Sequence, residues 1–398
     1  MEFSRRQFLG SAAAMSAATA LGHEPKAQEG AKPIKSSGKA VVITKYTGMQ
    51  SIDGAYEMLR RGQDTLDAAI FVLKAQEDDP NDNTVGLGGL PNEDGDVELD
   101  AAVMHGPTRR AAAVGGVRRI RNVAALAKTV MAHTGHALLV HEGAARVAKL
   151  FGFKEEDLLT ERSRQIWQLW KESMSEQDWW GPSIADPAWK PPQQLTNVPV
   201  AQVLRERIEK KAQEIGIDAA WRKLAVESVL YPPTGTIPCI ALNEKGEMSA
   251  AVSTSGLAWK IPGRLGDSPV IGAGIYLDPE IGGAGTTGNG EENIKLVGAH
   301  TVVENMRRGM TPLEAGMDTL RRLAHAYNND MTRLRYINLV FHILRRDGLY
   351  AGVSLWPIRS NGQQISIAVH DGTKRLENVK SLFDGKALSW PPIPELPT

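Results

Sequence analysis

The stretch from Thr234 to Glu292 concentrates residue types that could perform nucleophilic chemistry. It contains T-G-T-I at 234–237 and G-R-L-G-D-S-P at 263–269. A threonine hydroxyl is a weak nucleophile that needs a base beside it. An arginine guanidinium binds a carboxylate through two hydrogen bonds, and an aspartate complements the charge of an ammonium group. These residue types could supply a nucleophile and a pair of opposite charges near it.

Each of these features also has an ordinary structural explanation. Arg264 and Asp267 lie three residues apart, and alone they are more typical of a surface ion pair. Thr236 and Thr254 are common strand residues. Cys239 lies on an apolar strand, where a buried small hydrophobe is expected rather than a reactive thiol. The interpretation therefore depends on the order of the motifs along the chain and not on any one of them.

Other kinds of catalytic and cofactor site find no support in the sequence. It has no phosphate loop ending in Gly-Lys-Ser/Thr, no G-x-S-x-G motif and no H-E-x-x-H motif. T-G-N-G at 287–290 lacks the βαβ context and the downstream acid of a dinucleotide site. His133, His136 and His141 are close in sequence, but no acidic ligand joins them at a useful spacing. We expect neither a cofactor nor a metal ion.

The charge balance argues against a polyanionic partner. The chain has 398 residues, with 46 Lys plus Arg against 46 Asp plus Glu. Coating nucleic acid or an anionic membrane needs a basic excess that displaces counterions. The one cysteine excludes an intramolecular disulfide. We therefore expect no nucleic-acid partner, and stability that comes from packing.

The N-terminus has the layout of an export signal. S-R-R-Q-F-L-G at 4–10 carries an adjacent arginine pair and resembles a twin-arginine translocation signal. The run of small apolar residues at 11–22 is too short for a stable membrane span. We predict that residues 1–27 are a signal peptide, and that the mature protein is periplasmic or secreted without membrane contact.

The remaining chain alternates helices and strands without the βαβ rhythm of a parallel sheet. Ser51 is the predicted N-cap of the first helix, and the Trp-rich segment 160–199 is predicted to be a long surface excursion because Ser, Pro and Gln interrupt it. Predicted strands span 40–44, 97–104, 137–140, 236–242, 248–254, 336–344, 350–354 and 366–370. Predicted helices span 51–61, 65–75, 122–133, 142–150, 201–230, 291–308 and 311–327. This order favours an α+β fold with two stacked sheets and helices outside them.

The motifs, in their order, resemble the glycosylasparaginase branch of the N-terminal nucleophile hydrolases. The resemblance runs from about Val41 to Val369. Its strongest part is G-R-x-G-D-S-P followed by T-G-x-G-E after a T-I segment, and V-G-L-G-G-L-P, E-L-D-A-A-V-M-H-G and R-R-I-R-N-V accompany it. It implies a four-layer αββα sandwich. It also implies hydrolysis of the side-chain amide of asparagine derivatives, preferably N4-(β-N-acetylglucosaminyl)-L-asparagine, with release of aspartate.

The resemblance implies that the precursor cleaves itself between Gly235 and Thr236. Residues 28–235 would form an α chain and residues 236–398 a β chain of one hydrolase domain, assembled as a homodimer of αβ heterodimers. Cleavage would free the Thr236 α-amine, whose unperturbed pKa of about 7.7 to 8.0 suits a base at neutral pH. Glycine at 235 tolerates the strained backbone that such a bond needs.

Further site residues follow from the same resemblance. Thr236 is the implied nucleophile, and Thr254 the second threonine that tunes it. Arg264 and Asp267 would bind the α-carboxylate and α-ammonium groups of the substrate. Thr287 and Gly288 would donate hydrogen bonds to the oxyanion.

Three positions depart from the family pattern. The chain has Thr234-Gly235 where family members usually have His-Asp, and Pro238 where a glycine is common. Lys45 and Tyr46 follow Thr44 where a substrate-holding tryptophan is usual. The missing tryptophan bears on the substrate more than on the reaction, whereas Gly235 and Pro238 leave it open whether the chain cleaves itself. Two alternatives therefore stay open: an isoaspartyl peptidase or L-asparaginase of the same fold, and a non-catalytic periplasmic protein that binds amino-acid derivatives.

Overall fold

Helices and strands mix along the chain, and the α+β prediction is confirmed at this level. The computed structural model describes residues 33–174, 184–187, 189 and 198–388. The predicted signal peptide and part of the Trp-rich segment lie outside these residues. Among the described helices, none combines the length and the apolar character that a bilayer crossing requires.

The described strands form two sheets. In chain order they are β1 (Val41–Lys45), β2 (Leu99–His105), β3 (Arg110–Val117), β4 (Leu138–Val140), β5 (Gly235–Leu242), β6 (Met248–Gly256), β7 (Ile275–Asp278), β8 (Gly282–Gly288), β9 (Leu339–Arg345), β10 (Tyr350–Ser354), β11 (Ser366–His370), β12 (Lys374–Asn378) and β13 (Lys380–Ser381). The larger sheet has the order β12-β11-β1-β5-β6-β2-β3-β4, and the smaller one β13-β10-β9-β8-β7. Both β5 and β6, which carry the two predicted catalytic threonines, are therefore interior strands.

The helices of the described segments precede, separate and follow these strands. In chain order they are α1 (Ile52–Arg60), α2 (Thr65–Glu77), α3 (Val123–His133), α4 (His141–Leu150), α5 (Glu161–Met174), α6 (Val198–Glu214), α7 (Ala219–Leu230), α8 (Gly290–Leu296), α9 (Gly298–Arg307), α10 (Pro312–Ala326) and α11 (Met331–Leu334). Five of them, α1 to α4 and α10, lie within two residues of their predicted bounds, because apolar residues at helical spacing mark them clearly.

The alternation of side chains along β1 explains its unbroken apolar sequence. Val42 belongs to a core cluster that the larger sheet shares with α2 and α3. Its neighbour Ile43 belongs to a second cluster, which also contains Val340 of the smaller sheet. Successive strand residues point to opposite faces, so β1 is buried on both. A third cluster joins the smaller sheet to α9 and α10 through residues such as Phe341 and Leu320.

The prediction of a surface excursion at 160–199 is wrong for its first part. Residues 161–174 form α5, and Trp170 is 2% exposed and stacks on Trp259 with ring centroids 4.8 Å apart. Ile166, Leu169 and Trp170 follow helical spacing and pack against α6 and α7. The amphipathic period was present in the sequence, and the surrounding Ser, Pro and Gln concealed it. Trp179 and Trp180 lie outside the described residues.

Two predicted long helices are each two helices. The segment 201–230 divides into α6 and α7 around Gly216, whose φ is +82°. The segment 291–308 divides into α8 and α9 at Val297, which has a φ of 47°. A backbone in the left-handed region cannot continue an α-helix. Gly298 directly follows Val297, so the sequence contained a helix-breaking residue next to this break, which the apolar periodicity of 291–308 concealed.

Two of the strands that sequence reasoning missed, β3 and β8, are rich in small residues. β3 reads R-A-A-A-V-G-G-V and β8 reads G-G-A-G-T-T-G. Glycine-rich segments are typical of loops, but here the missing side chains allow close packing between the sheets. A Cβ on Gly285 would lie 2.6 Å from Cβ of Pro238 on β5. The proline at 238 therefore fits against a strand that has no side chain opposite it.

Candidate active site

Strand pairing brings the two predicted catalytic threonines into contact. Thr236 of β5 lies opposite Thr254 of β6, next to an irregularity in the pairing between Gly235 and Thr236. The Thr236 hydroxyl donates to Thr254 Oγ1 at 3.2 Å, and the Thr254 hydroxyl donates to the carbonyl oxygen of Gly235. The Gly256 amide donates to Thr254 Oγ1 at 2.9 Å. The hydroxyl of Thr236 is thus linked through one side chain to the carbonyl group that precedes it.

A tight contact between Gly235 and Thr84 positions that carbonyl group. A Cβ on Gly235 would lie 1.7 Å from Cβ of Thr84, so only glycine fits. The Thr84 amide and hydroxyl donate to Asp82 Oδ1 at 2.7 and 2.6 Å. Its carbonyl oxygen accepts from the Ser255 amide and hydroxyl at 3.0 and 2.7 Å. The loop before V-G-L-G-G-L-P therefore holds Thr84 from both sides.

Buried Glu77 fixes this loop from the other end. Its Oε1 accepts from the Ser253 hydroxyl at 2.7 Å and from the Ala124 amide at 3.1 Å. A Cβ on Gly86 would lie 2.2 Å from the Glu77 carbonyl oxygen, and Gly86 has a φ of +66°. Burial raises the pKa of Glu77 to about 7, against the effect of these hydrogen bonds. Glu77 ties α2, α3 and β6 together directly behind Thr254.

Arg264 and Asp267 lie in the loop after β6, but they are not an ion pair with each other. The Arg264 guanidinium donates to Glu291 Oε1 through Nε at 2.8 Å and Nη2 at 2.5 Å. Asp267 Oδ2 accepts from the Thr286 hydroxyl at 2.6 Å and the Asn293 amide at 2.7 Å. Burial raises the pKa of Asp267, and these hydrogen bonds oppose the rise. The arginine thus already holds a carboxylate in this structure.

Thr287 and Gly288 end strand β8 beside the two threonines. Gly288 lines the same cleft as Thr236, with a φ of +115° and Asn338 packed so closely that a Cβ would lie 1.8 Å from its carbonyl oxygen. The Thr287 hydroxyl is buried and has no hydrogen-bond partner among the described residues. It does not line the cleft. An unpaired buried hydroxyl is costly, which marks Thr287 as a donor available to another group.

The cleft gathers most of the residues that the sequence selected. It has a volume of about 20 Å³ in the continuous chain. Its walls include the following predicted site residues: Gly235, Thr236, Thr254, Arg264, Asp267 and Gly288. They come from β5, β6, β8 and the loop after β6, so the pairing of strands distant in sequence assembles them. The arrangement holds a hydroxyl, a carboxylate-binding cation and a buried acid within one small space.

Sequence reasoning missed the residues that surround this cleft. Thr84 and Asp82 carried no motif beyond their closeness to the Gly-dense loop. Thr286 and Asn293 donate hydrogen bonds to Asp267, and Glu291 accepts hydrogen bonds from the Arg264 guanidinium. Within the segment T-T-G-N-G-E-E, sequence reasoning selected only Thr287 and Gly288. Asn293 follows Thr286 by seven residues, beyond the end of β8. This spacing by itself does not indicate a site.

Two family models match the chain. A family model described as asparaginase matches residues 28–332. A model of the twin-arginine translocation signal sequence matches residues 2–22, which confirms the prediction of export to the periplasm or beyond.

Relatives of known name cover most of the chain. An N(4)-(β-N-acetylglucosaminyl)-L-asparaginase of Elizabethkingia miricola is 32% identical over 85% of this chain and 83% of its own length. A protein of the same name from Mus musculus is 32% identical over 74% of this chain and 80% of its own. A probable isoaspartyl peptidase/L-asparaginase 3 of Arabidopsis thaliana is 29% identical over 75% of this chain and 81% of its own.

Proposed function

The chain belongs to the asparaginase family, and from this premise we propose that it is a self-processing enzyme whose nucleophile is Thr236. As a hydrolase of this family it acts on amides of asparagine derivatives. The observation that carries the proposal is the hydrogen-bond chain from the Thr236 hydroxyl through Thr254 to the Gly235 carbonyl oxygen. It leaves the hydroxyl beside the bond to be broken.

Self-processing would begin with attack of Thr236 Oγ1 on the carbonyl carbon of Gly235. The C–N bond between the residues breaks and an ester forms in its place. Water then hydrolyses the ester, which leaves a carboxylate on Gly235 and an α-amine on Thr236. The Thr254 hydroxyl, which donates to the Gly235 carbonyl oxygen, would stabilise the negative charge that develops there.

The freed amine would serve as the base in substrate hydrolysis. It accepts the proton of Oγ1 as this oxygen attacks the side-chain amide of the substrate, and returns it to the leaving amine. The Thr287 hydroxyl and the Gly288 N–H would stabilise the oxyanion. Arg264 and Asp267 would bind the α-carboxylate and α-ammonium groups. Glu291 must then share or release the Arg264 guanidinium when substrate binds, because the guanidinium makes two hydrogen bonds to one Glu291 oxygen in this structure.

The names of the relatives suggest two substrate classes. N4-(β-N-acetylglucosaminyl)-L-asparagine is the first candidate, and β-aspartyl peptides or asparagine are the second.

We propose the αββα sandwich of N-terminal nucleophile hydrolases, with an α chain 28–235, a β chain 236–398 and a homodimeric assembly. The three core clusters, which join helices to sheet, sheet to sheet and sheet to helices, support this fold.

Intact mass and activity test the proposal together. Wild-type protein is expected as two chains that separate under denaturing conditions, and Thr236→Ala as one chain. Thr236→Ala should also lower kcat/KM for aspartate release by about 10³-fold or more. Thr236→Ser keeps a hydroxyl and serves as the control that still cleaves. An uncleaved wild type without activity would contradict the proposal and favour a binding protein. Full activity in Thr236→Ala would contradict the role of Thr236 as nucleophile.

A further inference from the structure

A second, larger cavity adjoins the cleft that holds Thr236. Its volume is about 360 Å³. Thr234 and Leu257 line both spaces, so the two share a wall next to the bond proposed for cleavage. A substrate held by Arg264 and Asp267 with its amide at Thr236 would direct its other half away from those two residues. The larger cavity is a space of suitable size for that half.

Lys45 lines this cavity from the strand next to the nucleophile. The antiparallel register pairs Thr44 with Cys239, which puts Lys45 opposite Pro238. Because side chains alternate along strands, Lys45 is on the same face as Thr236. The residue is 4% exposed, and its Nζ has no hydrogen-bond or ion-pair partner among the described residues. It lies 5.5 Å from the centre of the Tyr46 ring.

Arg359 brings a second cation to the same cavity. It lies in a turn, where its amide donates to the Gln363 carbonyl at 2.9 Å and its carbonyl accepts from Gly362 at 2.9 Å. Its Nε is buried and has no partner in the described part of the chain. Burial and then the charges of Lys45 and Arg359 lower the pKa of His342 to about 3, and both cations line the cavity.

One acidic residue, Asp82, is present among the described residues that line the cavity. Both of its oxygens are engaged: Oδ2 accepts from the Gln76 amide at 2.6 Å, and Oδ1 from the Thr84 amide and hydroxyl. Burial lowers the pKa of Lys45 to about 8, and Asp82 opposes this shift, so the ammonium group stays mainly protonated at neutral pH. Two cations against one hydrogen-bonded carboxylate leave the cavity with a positive charge.

We propose that this cavity binds a carboxylate carried by the leaving half of the substrate, through Lys45 and Arg359. Lys45 is buried, and the Nε of the half-buried Arg359 is buried without a partner among the described residues. Charged groups in such surroundings are costly, and an anion of the substrate would remove that cost. The preferred substrates are then β-aspartyl amides in which the leaving amine belongs to an amino acid. A neutral sugar amine cannot make this contact. The inference rests on the proposed function, and it favours the β-aspartyl peptide class over glycosylasparagine.

Two peptides that differ only in the charge of the leaving half test the inference. Release of aspartate is measured for β-aspartylglycine and for β-aspartylglycinamide. Wild-type enzyme is expected to prefer the acid by about tenfold or more in kcat/KM, chiefly through KM, because charge-assisted hydrogen bonds are stronger than neutral ones. In Lys45→Met and in Arg359→Met the ratio should fall towards one.

Lys245→Met is the matched control. Lys245 is an exposed lysine in the turn between β5 and β6, roughly 20 Å along the strand from Thr236, and its loss should leave the ratio unchanged. Equal kcat/KM for the two peptides in wild type, or a ratio that survives both cavity variants, overturns the inference. If no asparagine derivative is hydrolysed, the proposed function fails instead. Calorimetric titration of the two peptides into wild type then decides: tighter binding of the acid supports the cavity and equal affinity overturns it.

Discussion

Gly235 meets Thr84 so closely that no side chain fits between them. Thr84 cannot shift away from Gly235, because hydrogen bonds to Asp82 and from Ser255 fix its backbone and hydroxyl. The missing Cβ therefore decides where the Gly235 carbonyl lies, and that carbonyl accepts the hydrogen bond of Thr254. At this scale the site depends on steric fit as much as on reactive groups. The family's usual aspartate at this position would require a different residue or a different loop path at Thr84.

Gly235→Ala is expected to lower the free energy of unfolding by about 1 to 3 kcal/mol, the usual range for overpacking a tight site. The new Cβ would lie 1.7 Å from Thr84 Cβ, so the backbone must shift. Urea denaturation in the Thr236→Ala background measures this on a single chain. Gly143→Ala is the control, since no atom lies within 4 Å of its added Cβ and it is within α4. Equal stabilities for the two variants would contradict the steric interpretation.

At the scale of elements, helix starts that look alike in sequence differ in their hydrogen bonds. Thr311 begins α10 with a capping box: its hydroxyl accepts from the Glu314 amide at 3.3 Å, and its amide donates to Glu314 Oε2 at 2.8 Å. Ser51, the predicted N-cap of α1, makes no such bond and donates to the Gly48 carbonyl at 3.3 Å. A short 3₁₀ turn before α1 displaces Ser51 from the capping geometry.

We expect Thr311→Ala to cost about 1 kcal/mol of stability, because the Glu314 amide at the start of α10 loses its hydroxyl acceptor. Ser51→Ala should cost only a few tenths of a kcal/mol, as its hydroxyl satisfies no helix donor. Urea midpoints of the two variants, compared at equal m-values, measure the difference. A larger loss for Ser51→Ala would show that the sequence-based assignment of its cap was correct.

At the scale of the whole molecule, the two proposed chains interleave in one sheet. β1 of the α chain lies between β11 and β5 of the β chain, and β6 pairs with β2. Strand ladders and the shared clusters therefore cross between the chains several times. Cys239 is buried, and burial raises the pKa of its thiol. No covalent link is needed to hold the pieces together.

The processed chains are expected to stay associated without a disulfide. They should coelute in gel filtration with or without reductant and separate only in denaturant. Unfolding followed by fluorescence should show one cooperative transition, because the larger sheet is built from strands of both chains. Dissociation of the chains in dilute native buffer, or two separate transitions, would contradict this interleaved arrangement.

Much of the site was readable from the sequence because its residues lie in short motifs. The order of T-G-T-I, G-R-L-G-D-S-P and T-T-G-N-G selected Thr236, Arg264, Asp267 and Gly288, and the structure brings these four to one cleft. Apolar periodicity likewise marked most helices and the long strands, since it reflects which face each element buries.

Tertiary structure decided what depends on packing between distant segments. The strands rich in alanine and glycine formed because opposing sheets and helices leave room only for small side chains, a constraint that local propensity does not contain. The burial of Trp170 against Trp259 also depends on packing between distant segments. The pairing of Arg264 with Glu291 joins residues 27 positions apart, and the cavity that Lys45 and Arg359 line brings together residues more than 300 positions apart. Strand order and loop path bring such distant residues together, and the motifs by themselves do not specify either.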